Sequence, residues 1–379
     1  MNKHGGFGLY VHWPYCLTKC PYCDFNSHVG TPEDADIWSA AYVSEIKRHR
    51  DLIGNRTLQS IYIGGGTPSL MSPSTVAEII NTAQQVWQFS NTIEITLEAN
   101  PTSVEKEKLK AFRSCGVNRL SLGVQALNVD DLRLLGRTHS VKEACIAITH
   151  AQEVFDHTSF DLIYARQNQT IDAWQTELEF ALTFKPEHLS LYQLTIEPGT
   201  AFYDRFHRGG LRGLPDEDVA ADMFDLTQEV TAQVGLPAYE ISNHAKYGAE
   251  SVHNRIYWSG GEYVGIGPGA HGRIQCDGNR LTTETYLHPS QWLTQTQKGS
   301  GTSKTTVLAA DDIVNEYLMM GLRQHKGVSL QWINDVCGAT LDIPTYLFDI
   351  GVLEARDDRL RATQKGRRML NRVVAEIMV

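Results

Sequence analysis

Short apolar, β-branched runs alternate with longer amphipathic stretches from residue 7 to about residue 193. The runs are Gly8 to His12, Ser60 to Ile63, Thr92 to Leu97, Arg119 to Leu122, Ser159 to Ile163 and His188 to Tyr192. They recur every 30–50 residues or so, the repeat of a strand followed by a helix, and so predict six parallel strands with right-handed crossovers. Helix starts fit the same scheme. Thr31-Pro32-Glu33-Asp34, Thr102-Ser103-Val104-Glu105 and Ser140-Val141-Lys142-Glu143 follow the capping-box pattern, and Ser72-Pro73 offers an N-cap with proline at the first helical position. The pattern predicts an α/β domain, as an open sheet or a barrel-like arrangement.

Beyond Pro198 the alternation fades. Residues 216–234 have helical periodicity, 239–285 are rich in Gly, His and Tyr without a clear period, and 290–306 read as a connector. The tail predicts helices near 311–323, 329–337 and 363–377. A hairpin of Val352 to Arg356 with Arg359 to Arg361, turning at Asp357-Asp358, precedes the last of them. Helices followed by a two-stranded wing suggest a winged-helix-like module. The expected domains are 1–237, 238–306 and 307–379.

Composition then narrows the function. The chain has 379 residues, and 34 basic against 44 acidic side chains leave a net charge of −10. That disfavours bulk binding to nucleic acid or anionic lipid. Residues 351–379 carry seven basic and four acidic groups, a local +3 that reads as solvated surface. No run approaches the ~18–20 consecutive apolar residues of a membrane span, and the first residues lack the apolar core of a secretory signal. A cytoplasmic protein is expected. Seven cysteines, four of them scattered (Cys115, Cys145, Cys276, Cys337), make a poor disulfide framework.

The other three crowd into Cys16-x-x-x-Cys20-x-x-Cys23, directly after the first predicted strand. Three thiolates in one loop can hold three corners of a cubane iron–sulfur cluster and leave one iron open. A zinc site with His12 or His28 as fourth ligand, or a Cys20/Cys23 redox pair, are the alternatives. In parallel βα units, functional groups gather at the C-terminal ends of the strands. Gly64-Gly65-Gly66-Thr67-Pro68 follows the second strand and Glu98 ends the third; Gly123-Val124-Gln125 ends the fourth, and the fifth carries Asp161.

Tyr10-Val11-His12-Trp13-Pro14-Tyr15-Cys16 through Cys23, with Gly64 to Pro68 downstream, resembles the radical S-adenosylmethionine (SAM) superfamily. Within it the chain is similar, from Tyr10 to the C-terminal module, to the branch of oxygen-independent coproporphyrinogen III oxidases and HemW-type haem chaperones. The resemblance implies a partial (β/α)6 barrel with a small helical domain closing its mouth. It further implies that Cys16, Cys20 and Cys23 ligate a [4Fe–4S] cluster whose fourth iron is chelated by SAM. Tyr10, Gly65 and Glu98 match contacts to this SAM. Tyr22, Gly66, Thr67, Gln125, Arg137 and Asp161 match the surroundings of a second.

Within the branch, the oxidases carry a further cysteine where this chain has Phe25, and an N-terminal extension of some tens of residues. The first strand is expected near residue 7, without that extension. Both features favour the chaperone type, which binds haem and hands it to acceptor haemoproteins, plausibly respiratory ones; oxidative decarboxylation of coproporphyrinogen III is the alternative. His253-Asn254-Arg255-Ile256-Tyr257-Trp258 resembles a chaperone-type motif proposed to take part in haem binding. It makes His253 and Tyr257 haem candidates, with His271 a weaker one; the alternative is a histidine capping a loop over an aromatic cluster. After Asp161-Leu162-Ile163-Tyr164 the chain reads Ala165-Arg166-Gln167 where many relatives have Gly-Leu-Pro, so a different loop path is expected there.

Overall fold

The computed structural model describes residues 5–31, 34–338 and 340–378. The six predicted strands are all present: β1 (Phe7–Trp13), β2 (Thr57–Gly65), β3 (Gln88–Ala99), β4 (Arg119–Gln125), β5 (His157–Tyr164) and β6 (His188–Gln193). They pair in parallel in that order, with Leu9 opposite Ile61 and Ile61 opposite Ile95. β1 is buried along almost its whole length, as a strand covered on both faces must be.

Between the strands run α1 (Ala35–Ile53), α2 (Pro73–Val86), α3 (Lys106–Ser114), α4 (Val141–Val154) and α5 (Ile171–Leu182). Ser72 caps α2 through the Thr75 N–H, and Ser140 with Glu143 forms the expected capping box on α4. Two expected caps are displaced. Asp34, rather than Thr31, caps α1 by accepting from the Asp36 and Ile37 N–H groups, while Pro32 and Glu33 lie outside the described residues. Pro101–Ser103 forms a tight 3₁₀ turn, so α3 starts only after Glu105, without a side-chain cap.

The stretch after residue 198 holds more order than its sequence suggested. α6 (Glu217–Gln233) is the helix expected at 216–234. The aperiodic 239–285 region contains β7 (Asn243–Ala245), α7 (Val252–Trp258), β8 (Glu262–Ile266), β9 (His271–Cys276) and β10 (Asn279–Thr285). The expected connector at 290–306 is mostly α8 (Pro289–Gln297) and β11 (Thr302–Val307). β11 is exposed on nearly every residue, and of the three residues α8 buries, Pro289, Trp292 and Thr296, only Trp292 is a large apolar side chain. Neither alternation nor a helical stripe could therefore announce them.

β8 lies parallel to β1 on the side away from β2, and β9, β10 and β11 continue antiparallel to an open edge. β7 closes the other side antiparallel to β6. The eleven strands form one open sheet, a partial barrel whose six central strands point their C-terminal ends to one rim. The main core lies between this sheet and its helices.

A second apolar cluster, Val314 to Ile377, belongs to the C-terminal module. It contains α9 (Ala310–Gly321), β12 (Val328–Ser329), α10 (Leu330–Cys337), β13 (Leu353–Arg356), β14 (Arg359–Ala362) and α11 (Leu370–Ile377). β13 and β14 form the expected hairpin; Asp357 and Asp358 turn it with φ of 50° and 62°, the left-handed pair such a turn needs. The helix expected over 363–377 breaks at Met369 into a short turn, Gln364–Arg368, and α11.

Candidate functional site

The rim at the strand C-termini gathers the sequence candidates. The cysteine loop is tied down at both ends. Trp13 and Tyr15 carbonyls accept from the Gly66 and Thr67 N–H groups at 2.6 and 2.8 Å, and the Gly30 N–H donates to the Cys16 carbonyl at 3.1 Å. In mid-loop the Pro21 carbonyl accepts from Phe202 N–H at 2.8 Å. Gly66 is required here, because a Cβ would fall 2.6 Å from the Tyr15 oxygen and 3.1 Å from Cys16 Sγ.

Two of the thiols are joined by side chains from the segments that follow three of the strands. Thr67 Oγ1 donates to Cys16 Sγ at 3.4 Å, and Asn100 Nδ2 donates to Thr67 Oγ1 at 2.9 Å. Arg137 then reaches Asn100 Oδ1 at 2.5 Å, the Gly123 carbonyl at 2.8 Å and Cys20 Sγ at 3.3 Å. All three loop cysteines are half-buried and unpaired. Burial pushes the thiols of Cys16 and Cys23 up, with the neighbouring sulfurs adding to it. The sulfurs of Cys16 and Cys23 thus resist ionisation, an arrangement suited to a ligand that itself stabilises thiolate.

No group of three or more His, Cys, Asp or Glu among the described residues is arranged to hold a single metal ion. Both ring nitrogens of His12 are engaged, by Tyr10 Oη at 2.7 Å and the Asn26 carbonyl at 2.9 Å. His28 packs edge-on against His288. Three soft sulfurs with a glycine beside one of them, and His12 already engaged at both nitrogens, fit an iron–sulfur cluster better than a zinc site.

Next to the loop, Glu98 accepts from the Tyr62 hydroxyl and, at 3.1 Å, from the Gly65 N–H. Burial pushes its carboxyl up to about 7, against those two hydrogen bonds. Asp161 is likewise raised to about 7, by burial first and by Glu98 second. Two such acids in one site, uncharged or singly charged near neutrality, suit a ligand bearing an amino group. Gln125 ends β4 at φ 72°, a strained backbone for a non-glycine residue that aims its side chain along the rim.

Tyr22, Gly65, Gly66, Thr67, Glu98, Gln125, Arg137 and Asp161 line a common recess with the three cysteines. Tyr10 lies behind Tyr62, its ring stacked 6.1 Å from it, with its hydroxyl on His12. Ala165 follows Asp161's strand at φ 57°, the left-handed conformation glycine would favour, and Arg166 is buried between Asp131 and Glu177. The loop is thus held by an ion triad that the sequence gave no sign of.

Beside the recess, and sharing Glu98, Gln125 and Asp161 with it, lies a cavity of about 870 Å³. Tyr192, Phe224 and Ile163 supply flat and apolar wall, and the C-terminal module contributes Arg323, Arg367, Arg368 and Arg372. His253, only 7% exposed, lines it from α7. Its ring stacks on Tyr62 at 3.8 Å, and Nδ1 meets Glu94 at 3.0 Å.

Burial opposes ionisation of Glu94, yet His253, Arg119 and the Val252 N–H hold it down to about 2. Burial keeps His253 neutral. Nδ1 is held by Glu94 and, at 2.7 Å, by Ser251 Oγ, which also lies 3.4 Å from Nε2, so the ring sits in the cavity wall as an oriented imidazole. Tyr257 lies one turn on, packed 4.5 Å from Tyr263, and lines neither space. His271 is exposed on β9. Asn100, Tyr62 and the four arginines escaped sequence reading. Asn100 stands two residues after Glu98 at the end of β3 and was within reach; the arginines sit some 200 residues from the rim with no local pattern.

Residues 10–181 match the Radical SAM superfamily. The chain is 40% identical to the protein named "Radical S-adenosyl methionine domain-containing protein 1, mitochondrial" of Danio rerio, over 85% of this chain and 74% of that one. It is 35% identical to the "Heme chaperone HemW" of Haemophilus influenzae, over 99% and 98% of the two chains. The Bacillus subtilis protein of the same name shares 33%, over 96% and 97%. Among solved structures, the coproporphyrinogen III oxidase HemN of Escherichia coli, a radical SAM enzyme, superposes with a TM-score of 0.82 at 22% identity. That superposition covers all of this chain and 91% of that one.

Proposed function

The chain belongs to the radical SAM superfamily, in the family of the HemW-named proteins, and we propose that it is a haem chaperone that passes haem to acceptor haemoproteins. The observation that carries the reading is the cavity of about 870 Å³ between barrel rim and C-terminal module, with a neutral, carboxylate-oriented histidine in its wall. It falls within the few hundred to ~1,000 Å³ of small-molecule and cofactor sites. Cys16, Cys20 and Cys23 would hold a [4Fe–4S] cluster, which when bound supplies the electron for reductive cleavage of SAM.

The protein's own residues do the rest. Gly65 and Gly66 leave room for SAM against the strand edge, and Glu98 accepts from its amino group. Arg137 neutralises sulfur charge. Gln125, Asp161, Tyr22 and Thr67 line the adjoining space, and Tyr10 supports the rim through Tyr62. We divide the work among a barrel to residue 237, an extension to 306 and a covering module from 307. Seven unpaired cysteines suit a reducing, cytoplasmic setting, and no helix among the described residues is long and apolar enough to cross a membrane.

The test is anaerobic. After reconstitution with iron and sulfide, the protein is expected to hold about four irons and to bind haem in near-stoichiometric amount, with Cys16→Ala losing iron and His253→Ala shifting the haem spectrum. Incubated with SAM, reductant and coproporphyrinogen III beside a known oxidase, it is expected to form no decarboxylated product. Appearance of that product would make it an oxidase despite Phe25, whose side chain is 57% exposed at the cavity mouth.

A further inference from the structure

The cavity is electrically lopsided. Its floor carries Glu98 and Asp161 from strand ends, and its roof carries arginines from the C-terminal module. Three of the four roof arginines already have acidic partners. Arg368 pairs with Asp225, Arg372 with Glu376 at 2.7 Å, and Arg323 with Glu240 at 2.9 Å.

Arg367 is different. It is 7% exposed, makes no ion pair among the described residues, and has one long hydrogen bond from Nη2 to the Arg323 carbonyl at 3.4 Å. Burial pulls its guanidinium down to about 10. Glu240, the carboxylate that offsets it, is fully buried and already committed to Arg323, the Ser242 N–H and the Asn243 side chain. Two guanidinium groups thus share one carboxylate, leaving a largely buried positive charge in the cavity wall without a counterion of its own. Such a charge is costly unless an anion completes it. A guanidinium presents a planar fork that matches a carboxylate in two parallel hydrogen bonds.

We propose that Arg367, backed by Arg323, receives a propionate carboxylate of the tetrapyrrole in this cavity, so that the C-terminal module reads the acidic edge of the ligand. The assignment rests on the cavity being the tetrapyrrole site. It fixes an orientation, with the acidic edge toward the module and the apolar body against Tyr192, Phe224 and the strand ends. Glu98 and Asp161 on the floor offer that edge no positive charge.

The experiment compares haem with its dimethyl ester, in which both propionates are capped and the macrocycle is unchanged. Soret titrations are run in detergent micelles with wild type, Arg367→Gln and Arg367→Lys. Wild type is expected to bind the free acid at least about tenfold more tightly than the diester, a charge-assisted bidentate pair being worth that much or more. In Arg367→Gln the preference disappears. In Arg367→Lys, which keeps the charge and loses the fork, it falls only part of the way, and this variant decides the matter where the glutamine variant does not fold.

Equal binding of acid and diester by wild type would overturn the assignment and leave the chaperone reading standing. So would a folded variant that discriminates as wild type does. Failure of wild type to bind either ligand would remove the chaperone reading and the assignment with it.

Discussion

Replacing Glu98 with Gln changes the pH dependence of stability of the cluster-free protein in a direction set by burial. The carboxyl is raised from an ordinary 4.5 to about 7, chiefly by burial. The folded state therefore holds its proton longer than the unfolded chain does. Stability is fully present below pH 4.5 and is lost as pH rises through 7. At 1.36 kcal/mol per pH unit the whole rise corresponds to about 3 kcal/mol. Between pH 5 and pH 8 the linkage relation gives a ceiling of about 2.5 kcal/mol. Glu98 faces the recess and is only partly covered, so about 1–2 kcal/mol is the working expectation.

Glutamine cannot ionise, but its amide must face one of the two donors, the Tyr62 hydroxyl or the Gly65 N–H, at a cost of about 1 kcal/mol. That cost is the same at every pH and cancels in the comparison. Urea unfolding of reduced apoprotein, followed by far-ultraviolet circular dichroism at pH 5 and 8, measures the difference. Glu98→Gln is expected to gain on wild type by about 1–2 kcal/mol from pH 5 to pH 8 while losing SAM binding. A difference that is flat with pH, or that grows toward acid, would refute the burial argument. Asp161 is raised partly by Glu98, so Glu98→Gln with Asp161→Asn is expected to gain less than the two single changes together.

Histidines act with the opposite sign. Burial lowers His49 to about 4 and His244 to about 3, so each takes up its proton on unfolding and stability falls as pH drops below 6.5. The loss is about 1 kcal/mol per group by pH 5.5, and His244→Gln is expected to flatten the acid limb of the unfolding curve. Trp292→Ala removes the ring that stacks on Trp38 at 5.7 Å and meets Tyr42 at 5.3 Å; a loss of about 3–5 kcal/mol in urea unfolding is expected. Gly66→Ala drives a methyl into the Tyr15 carbonyl and Cys16 Sγ. It is expected to cost about 1–3 kcal/mol and to lower the iron retained after reconstitution, read by colorimetric assay.

By itself the sequence determined the six parallel strands, since short runs of strand-forming residues recur at the spacing of a strand plus a helix and each parallel crossover needs its own helix. It also placed the cysteine loop, Glu98, Gln125 and Asp161 at one rim, because parallel βα units all end on the same side. The terminal hairpin was legible for a local reason, two aspartates turning between paired strands. Local chemistry could not show β8 to β11 or α8. β11 is exposed at an edge, and the face that α8 buries, Pro289, Trp292 and Thr296, carries one large apolar side chain, so neither shows an apolar period.

Nor could the sequence show what completes the site. Asn100 and Thr67 join Cys16 to Arg137 only because segments following three different strands meet, and His253 is kept neutral by burial and oriented by Glu94 across 159 residues. Arg367 lines the cavity only because the C-terminal module folds back over the rim. A strand period is a short-range property that one segment can carry. The charge balance of a cavity belongs to its whole wall, and it exists only once distant segments have been brought together.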